Sequence, residues 1–493
     1  MMAAAKRLLV AFGAVTGTVH AQQGSSATSA QACSSTISPQ HGQPSVAPGW
    51  TVQVVASGLS SPRGLKFDSE GNLLVVQQDV GISRLRLTND DGACVKIDGD
   101  VEDIIPDADF NHGIELSGDG RTLYASTPQS VYEWDYDPSQ GRNTSDRREI
   151  IGEIGPTDGH VTRTLLMSRK AEGILLVSRG SMSNLDLAAL DITTGVSTIK
   201  AFNVSNVTDG SPYNFARDGS ILGWGLRNSV GVAEDPVTGG VFSVENSVDN
   251  FNRNGQSIYE DNPGEELNFH GYLNGTETPE SGRNFGYPTC YAAWDVSAIP
   301  DNEGIQVGTQ FAIGEQNATV NDTFCQQERQ APRLTFQAHQ APLDIKFNSN
   351  GTAAWVTFHG SWNRDDPIGY KLSVIPFANG QPIDPANSTS AAISIVSNPD
   401  TSACPRGCFR PVGLAWDSKG RLFMSSDSSG EIFVVVPASG GSADEANPTP
   451  SGSGTGTGQP SSTSSPGAAV EAWDGQAARF ATVWAAIMAL PFI

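Results

Sequence analysis

Apolar positions along this chain recur in one pattern: an alternating run, a turn of Asp, Ser, Asn and Gly, a second apolar run, then a polar loop. The copies are Leu65–Val76, Ile114–Ala125 (closed by Val131–Asp135), Leu165–Ser178, Val230–Val244, Ile345–Val356 and Leu414–Met424. Period-two alternation across a Gly-rich turn predicts a hairpin. Six hairpins spaced by roughly fifty residues or more predict propeller blades, none able to bury both faces alone. An irregular β-sandwich would not require the same hairpin each time. The expected architecture is all-β, a six-bladed β-propeller within residues 22–437. The gap between copies four and five, Asn250–Phe336, is expected to shape the rim of a pocket.

The ends are different material. Met1–Ala21 has a basic start (Lys6, Arg7), an apolar stretch and a small-residue cleavage site, as a secretory signal peptide does. Residues 438–466 are mostly Ser, Gly, Thr and Pro, the composition of a flexible linker. Residues 467–493 pass from small residues through a polar spacer to a short apolar tail, the order of a GPI-anchor signal. Eight Asn-X-Ser/Thr acceptors fit export: Asn143, Asn203, Asn206, Asn274, Asn317, Asn321, Asn350 and Asn387. In an oxidising compartment the six cysteines can pair completely, with Cys33–Cys94, Cys290–Cys325 and Cys404–Cys408 closing single loops. A net charge of -23 argues against nucleic acid or an anionic membrane surface as partner, leaving the membrane accessible only through a lipid anchor.

In a propeller, the loop before each inner strand faces the channel mouth. That position holds Arg63 before the first copy, Asn111-His112 before the second, Gly159-His160 before the third, Arg227-Asn228 before the fourth and Arg410 before the sixth. His359 and Trp362 instead follow the second strand of the fifth. Taken alone, Arg227-Asn228 reads as a solvated surface turn. As a set, arginines and histidines converging on one mouth suggest an anionic, polar ligand. No dinucleotide fingerprint, P-loop, zinc spacing or serine nucleophile elbow is present.

Several phrases carry a resemblance in order along the chain: Asp158-Gly-His160, Leu226-Arg-Asn228, Glu245-Asn-Ser-Val248, Glu265-Glu-Leu-Asn268, Asn284-Phe-Gly-Tyr-Pro288, Phe358-His-Gly-Ser-Trp-Asn363 and Phe409-Arg-Pro-Val-Gly413. Over roughly Gly49 to Pro437 the chain resembles the soluble quinoprotein sugar dehydrogenases, in the sorbosone and fungal pyranose dehydrogenase branch that uses pyrroloquinoline quinone (PQQ). The resemblance implies His160 as general base, Arg227 polarising the quinone oxygen with Asn228 beside it, and main-chain carbonyls of Ser247 and Val248 holding a Ca²⁺. It implies that Arg63, His112, His359, Trp362 and Arg410 bind the PQQ carboxylates or cover its ring. It implies a sugar substrate and an external electron acceptor, such as a cytochrome or a polysaccharide-oxidising copper enzyme. Unlike the similar glucose enzymes, this chain has His359 where they carry a lysine, and Arg410 with Cys408 where they carry two arginines. A Ca²⁺-dependent propeller lactonase or related hydrolase, recruiting Glu245, Asn246 and Asp249, and a non-catalytic cell-surface binding propeller are the competing readings.

Overall fold

Each hairpin of the repeat forms the two inner, antiparallel strands of its own sheet in the computed structural model, which describes Cys33 and residues 36–446 apart from 89, 156 and 209. The expected signal peptide, most of the linker and the anchor signal lie outside the described residues. The inner strands are Pro62–Phe67, Ile114–Leu116, Leu165–Met167, Ser229–Glu234, Pro342–Phe347 and Pro411–Trp416, and define blades 1 to 6 in that order. Each neighbours the next and the sixth neighbours the first, so the sheets close as a six-bladed β-propeller. The ring is latched by Trp50–Ala56, which pairs along Glu431–Pro437 and supplies the outer strand of blade 6. That pairing covers a strand edge that would otherwise be open.

Successive side chains of a strand point to opposite faces, and each blade is buried on both. Leu73 and Val75 pack towards blade 6, while Leu74 and Val76 pack towards blade 2. Six hydrophobic clusters accordingly straddle the six blade interfaces. Near the axis the inner strands approach so closely that side chains must vanish. A Cβ on Gly64 would lie 2.0 Å from the His112 carbonyl oxygen, one on Gly113 2.2 Å from that of Arg163, and one on Gly413 2.1 Å from that of Arg63. Hydroxyls complete these seams: Ser126 donates to the Arg163 carbonyl at 2.6 Å, Ser425 to that of Arg63 at 2.7 Å and Thr357 to that of Val412 at 2.7 Å.

The stretch 250–336 is more than rim. It contains the outer strands of blade 4, Glu265–Tyr272 and Leu334–Phe336, as well as a helix, Asp322–Glu328. Arg253 is fully buried and holds Asp322 with two bonds of 2.7 and 2.6 Å, and Cys290–Cys325 ties the same helix to a neighbouring ribbon. All three expected disulfides are present. Packing also continues beyond Pro437: Ala443 is buried and Asp444 accepts from the Ser349 amide at 2.6 Å.

Candidate active site

Aligning the inner strands on their first core residue (Leu65, Ile114, Leu165, Val232, Ile345, Leu414) separates the mouth residues into two tiers rather than the single level expected. The deeper tier is Arg63, His112, Arg163, Val230, Leu343 and Val412, all buried. Val230, Leu343 and Val412 pack on one another, so half of this ring is an apolar plug and the other half is cationic or imidazole. The upper tier carries His160, Arg227-Asn228, Gln340 and Arg410. A β-strand places residues two apart on one face, so an offset of two or three residues is a difference in depth.

Around one side of the mouth, Arg63, His112, His359 and Arg410 gather on Asp427. Arg63 donates to Asp427 at 2.7 Å and to His112 Nδ1 at 3.3 Å, which leaves His112 as an Nε2–H donor. Burial, then Arg63, holds His112 well below the ordinary histidine range, so it stays neutral. His359 Nε2 lies 2.8 Å from Asp427 Oδ1. Arg410 donates to the His359 carbonyl at 3.1 Å and the Gly360 carbonyl at 2.9 Å. Burial alone would oppose ionisation of Asp427, but His359, Arg63 and Arg410 outweigh it and keep it a carboxylate.

Across the mouth stands the second group. His160 Nδ1 lies 3.0 Å from the Ser181 carbonyl and 2.9 Å from its hydroxyl, which itself donates to Ser183. A carbonyl oxygen can only accept, so Nδ1 carries the proton and Nε2 keeps a lone pair. Burial, then the charge of Arg227, pulls His160 down to about 3. Arg227 is buried and splayed across Asn184 Oδ1 (2.9 Å), the Asn184 carbonyl (3.2 Å) and Asp249 (3.0 Å). Asn228 approaches Gly180 so closely that a Cβ there would sit 2.6 Å from Asn228 Oδ1 and 2.8 Å from His160 Cβ. These residues therefore converge where only glycine fits.

The two groups meet through blade 5. The Ala341 carbonyl accepts from the His359 amide at 2.9 Å, while the Ala341 amide donates to Glu265 at 3.2 Å. Glu265 also accepts from the Ser247 amide at 2.6 Å. Val248 is buried among Phe251, Tyr287 and Tyr291, fixing the loop. The side-chain bonds to this loop's carbonyls end on Asn246 and Asp249, on either side of Ser247 and Val248. No group of three or more His, Cys, Asp or Glu among the described residues is placed to hold a metal ion, and backbone donors would not form one. Trp362, three residues beyond His359, is 55% exposed.

Several participants escaped the sequence reading. Asp427 follows the second strand of blade 6 as His359 follows that of blade 5, so the repeat itself could have found it. His339, before the inner strand of blade 5, lies 3.4 Å from Asp249. Arg163 donates to the His160 carbonyl at 2.6 Å and so positions it. Ser181 and Asn184 carry no signal in the chain; only folding brings them to His160 and Arg227.

The mouth suits a polyanionic planar ligand. It presents Arg63 and Arg410 together with the Nε2–H of His112 as donors for anionic oxygens, while the amide oxygens of Asn111 and Gln340, buried without a partner, would accept from a hydroxyl or N–H of a ligand. Residues 44–438 match the family model described as TrAA12-like. The chain belongs to that family. Among curated relatives, a pyrroloquinoline quinone-dependent sugar dehydrogenase of Hypocrea jecorina is 47% identical over 409 residues, 82% of this chain and 91% of the relative. A pyrroloquinoline quinone-dependent pyranose dehydrogenase of Coprinopsis cinerea is 36% identical over 81% of this chain but 55% of its own length. Among solved structures, the calcium structure of a Trichoderma reesei enzyme of carbohydrate-active family AA12 superposes with a TM-score of 0.79 at 45% identity, covering 82% of this chain and all of the other (100%). The holo PQQ domain of the Coprinopsis cinerea pyranose dehydrogenase does so at 0.76 and 34%, covering 82% and 99%. The family resemblance carried by the sequence motifs is thus borne out, and so is the propeller.

Proposed function

We propose that this protein is a quinoprotein oxidoreductase that oxidises a sugar at C1 and passes the electrons to an external acceptor. The single observation that carries this reading is the tautomer of His160: with Nδ1–H committed to Ser181, Nε2 is an unprotonated base beside a buried arginine. Arg63, Arg410, His112 and His359 would hold the carboxylates of PQQ, Arg227 and Asn228 its quinone edge, and the carbonyls of Ser247 and Val248 a Ca²⁺. Bound there, PQQ would supply the two-electron acceptor for hydride leaving the sugar.

His160 takes the hydroxyl proton as the C1–H bond breaks. Its basicity is low, yet loss of hydride turns that hydroxyl into a strongly acidic protonated carbonyl, so a weak base suffices. Arg227 stabilises negative charge developing beside it in a site from which water is largely excluded, where such charge–charge contacts are strongest. Asp249 and Asn184 fix the guanidinium so that it need not reorganise. Ser181 holds the imidazole through Nδ1, and Arg163 holds the His160 main chain through its carbonyl. Three disulfides and the eight sequons, none of them on a fully buried asparagine, support action outside the cell.

The test supplies PQQ and Ca²⁺ to the purified chain and follows reduction of an artificial dye with a panel of aldoses and 2-ketoaldoses. Dye reduction should require PQQ, and His160→Ala should lower kcat by about 10²–10⁴-fold while PQQ still binds. Turnover surviving in His160→Ala would remove the base. Lactone hydrolysis without PQQ would favour the hydrolase instead, and PQQ binding without turnover a sensor.

A further inference from the structure

Beside His160 and Arg227, the segment Ser181–Asp191 leaves the mouth and presents four aliphatic side chains to solvent: Leu187 is 72% exposed, Leu190 50%, Leu185 46% and Met182 42%. They are held rigidly. The Asp186 side chain caps the short 3-10 turn Leu187–Leu190 and bonds the Met182 amide at 2.9 Å, and the Tyr287 hydroxyl bridges Asp186 and the Asn184 carbonyl from below. A well-ordered apolar patch, continuous through Asn184 with the residues that grip Arg227, marks an interaction surface.

Resting on the oxidoreductase reading above, we infer that this patch is the docking surface for the electron acceptor: a small redox protein whose centre lies under an apolar patch ringed by Lys and Arg. The charge pattern selects that occupant. Asp158 and Asp191 are exposed at the two ends of the patch, and residues 180–199 include no Lys or Arg. The whole chain carries -23. A second copy would oppose acidic rim to acidic rim, which costs affinity, whereas a basic partner is steered towards it. A sugar chain needs hydrogen-bonding partners, and four aliphatic side chains offer none. Small apolar patches with charged rims match the limited interfaces of transient electron-transfer encounters.

The step balances simply. Each sugar oxidised at C1 releases two electrons and two protons; a one-electron acceptor must dock twice to remove the electrons, and the protons leave to water. Docking beside the mouth shortens the path from the site to the acceptor.

The test uses a basic c-type cytochrome as probe and compares the wild type with the Leu187→Ser/Leu190→Ser variant, whose substitutions lie outside the catalytic machinery. The variant should reduce a small dye at the wild-type rate but the ferric cytochrome about tenfold more slowly, and wild-type cytochrome reduction should fall steeply with added salt. Chemical-shift titration of the cytochrome with the cofactor-free chain should show binding weakened to the same extent. Equal cytochrome rates and affinities would overturn the proposal, and so would a parallel loss of dye reduction, which would assign the patch to the substrate. Wild-type dimers in sedimentation that the double variant dissolves would make a second copy the occupant and overturn it too. If the wild type reduces no dye with any sugar, the oxidoreductase reading fails, and the titration alone still decides whether the surface binds.

Discussion

At the scale of single residues, protonation states are set by neighbours more than by residue type. His160 is pulled down to about 3 by burial and then by Arg227, so it is neutral, and competent as a base, at every pH above that value. The acid limb of kcat/KM should therefore fall well below the ordinary histidine value of about 6.5. A pH profile with an acid limb at 6–7 would assign the limiting base to another group. Arg63 is held between Asp427 and His112, with its remaining donors free to meet an anionic ligand. Arg63→Ala should weaken PQQ binding about tenfold or more, the worth of one charge-assisted contact, measured by fluorescence quenching. Unchanged affinity would move the carboxylate site to Arg410.

At the scale of elements, the inner strands are governed by how closely neighbouring blades approach. Gly413 faces the Arg63 carbonyl at a distance no Cβ tolerates, and its backbone does not occupy the left-handed region. Its role is therefore close approach, not turn geometry. Gly413→Ala must push two blades apart at the level of Arg63 and should cost about 1–3 kcal/mol, read from the urea midpoint, whereas Gly71→Ala, with open space around its Cβ, would show only the cost of its positive φ. A wild-type midpoint for Gly413→Ala would mean that the seam is loosely packed.

For the whole molecule, stability depends on pH through carboxyls buried between blade 4 and the loop that borders the site. Glu266 is raised to about 7, first by burial and also by the charge of Glu265, while Asn268 at 2.9 Å and Gln310 at 3.3 Å oppose the shift. The sign follows from linkage: the folded state binds the extra proton between about 4.5 and 7, so this contribution is complete below 4.5 and is lost as pH rises through 7. Glu266→Gln should therefore leave the urea midpoint nearly unchanged at pH 5 and raise stability by about 1–3 kcal/mol at pH 8. A gain of the same size at both pH values would mean that ionisation is not the cause.

The blade repeat, the three disulfide pairs and the mouth loops were legible along the chain because each depends on local pattern: period-two apolar runs, Gly turns and cysteines neighbouring in order. The family motifs singled out His160 and Arg227-Asn228, which the fold brings together around Gly180. Depth in the channel was not legible. Arg63 and His112 share a tier with Arg163, while His160, Arg227 and Arg410 stand above, because the register of each inner strand is set by contacts between blades. Ser181, Asn184 and Asp249 became partners of His160 and Arg227 only when blades 3 and 4 packed together. Sequence alone determined which residues could do chemistry on this propeller. Closure of the ring decided which of them are neighbours, and therefore which are charged.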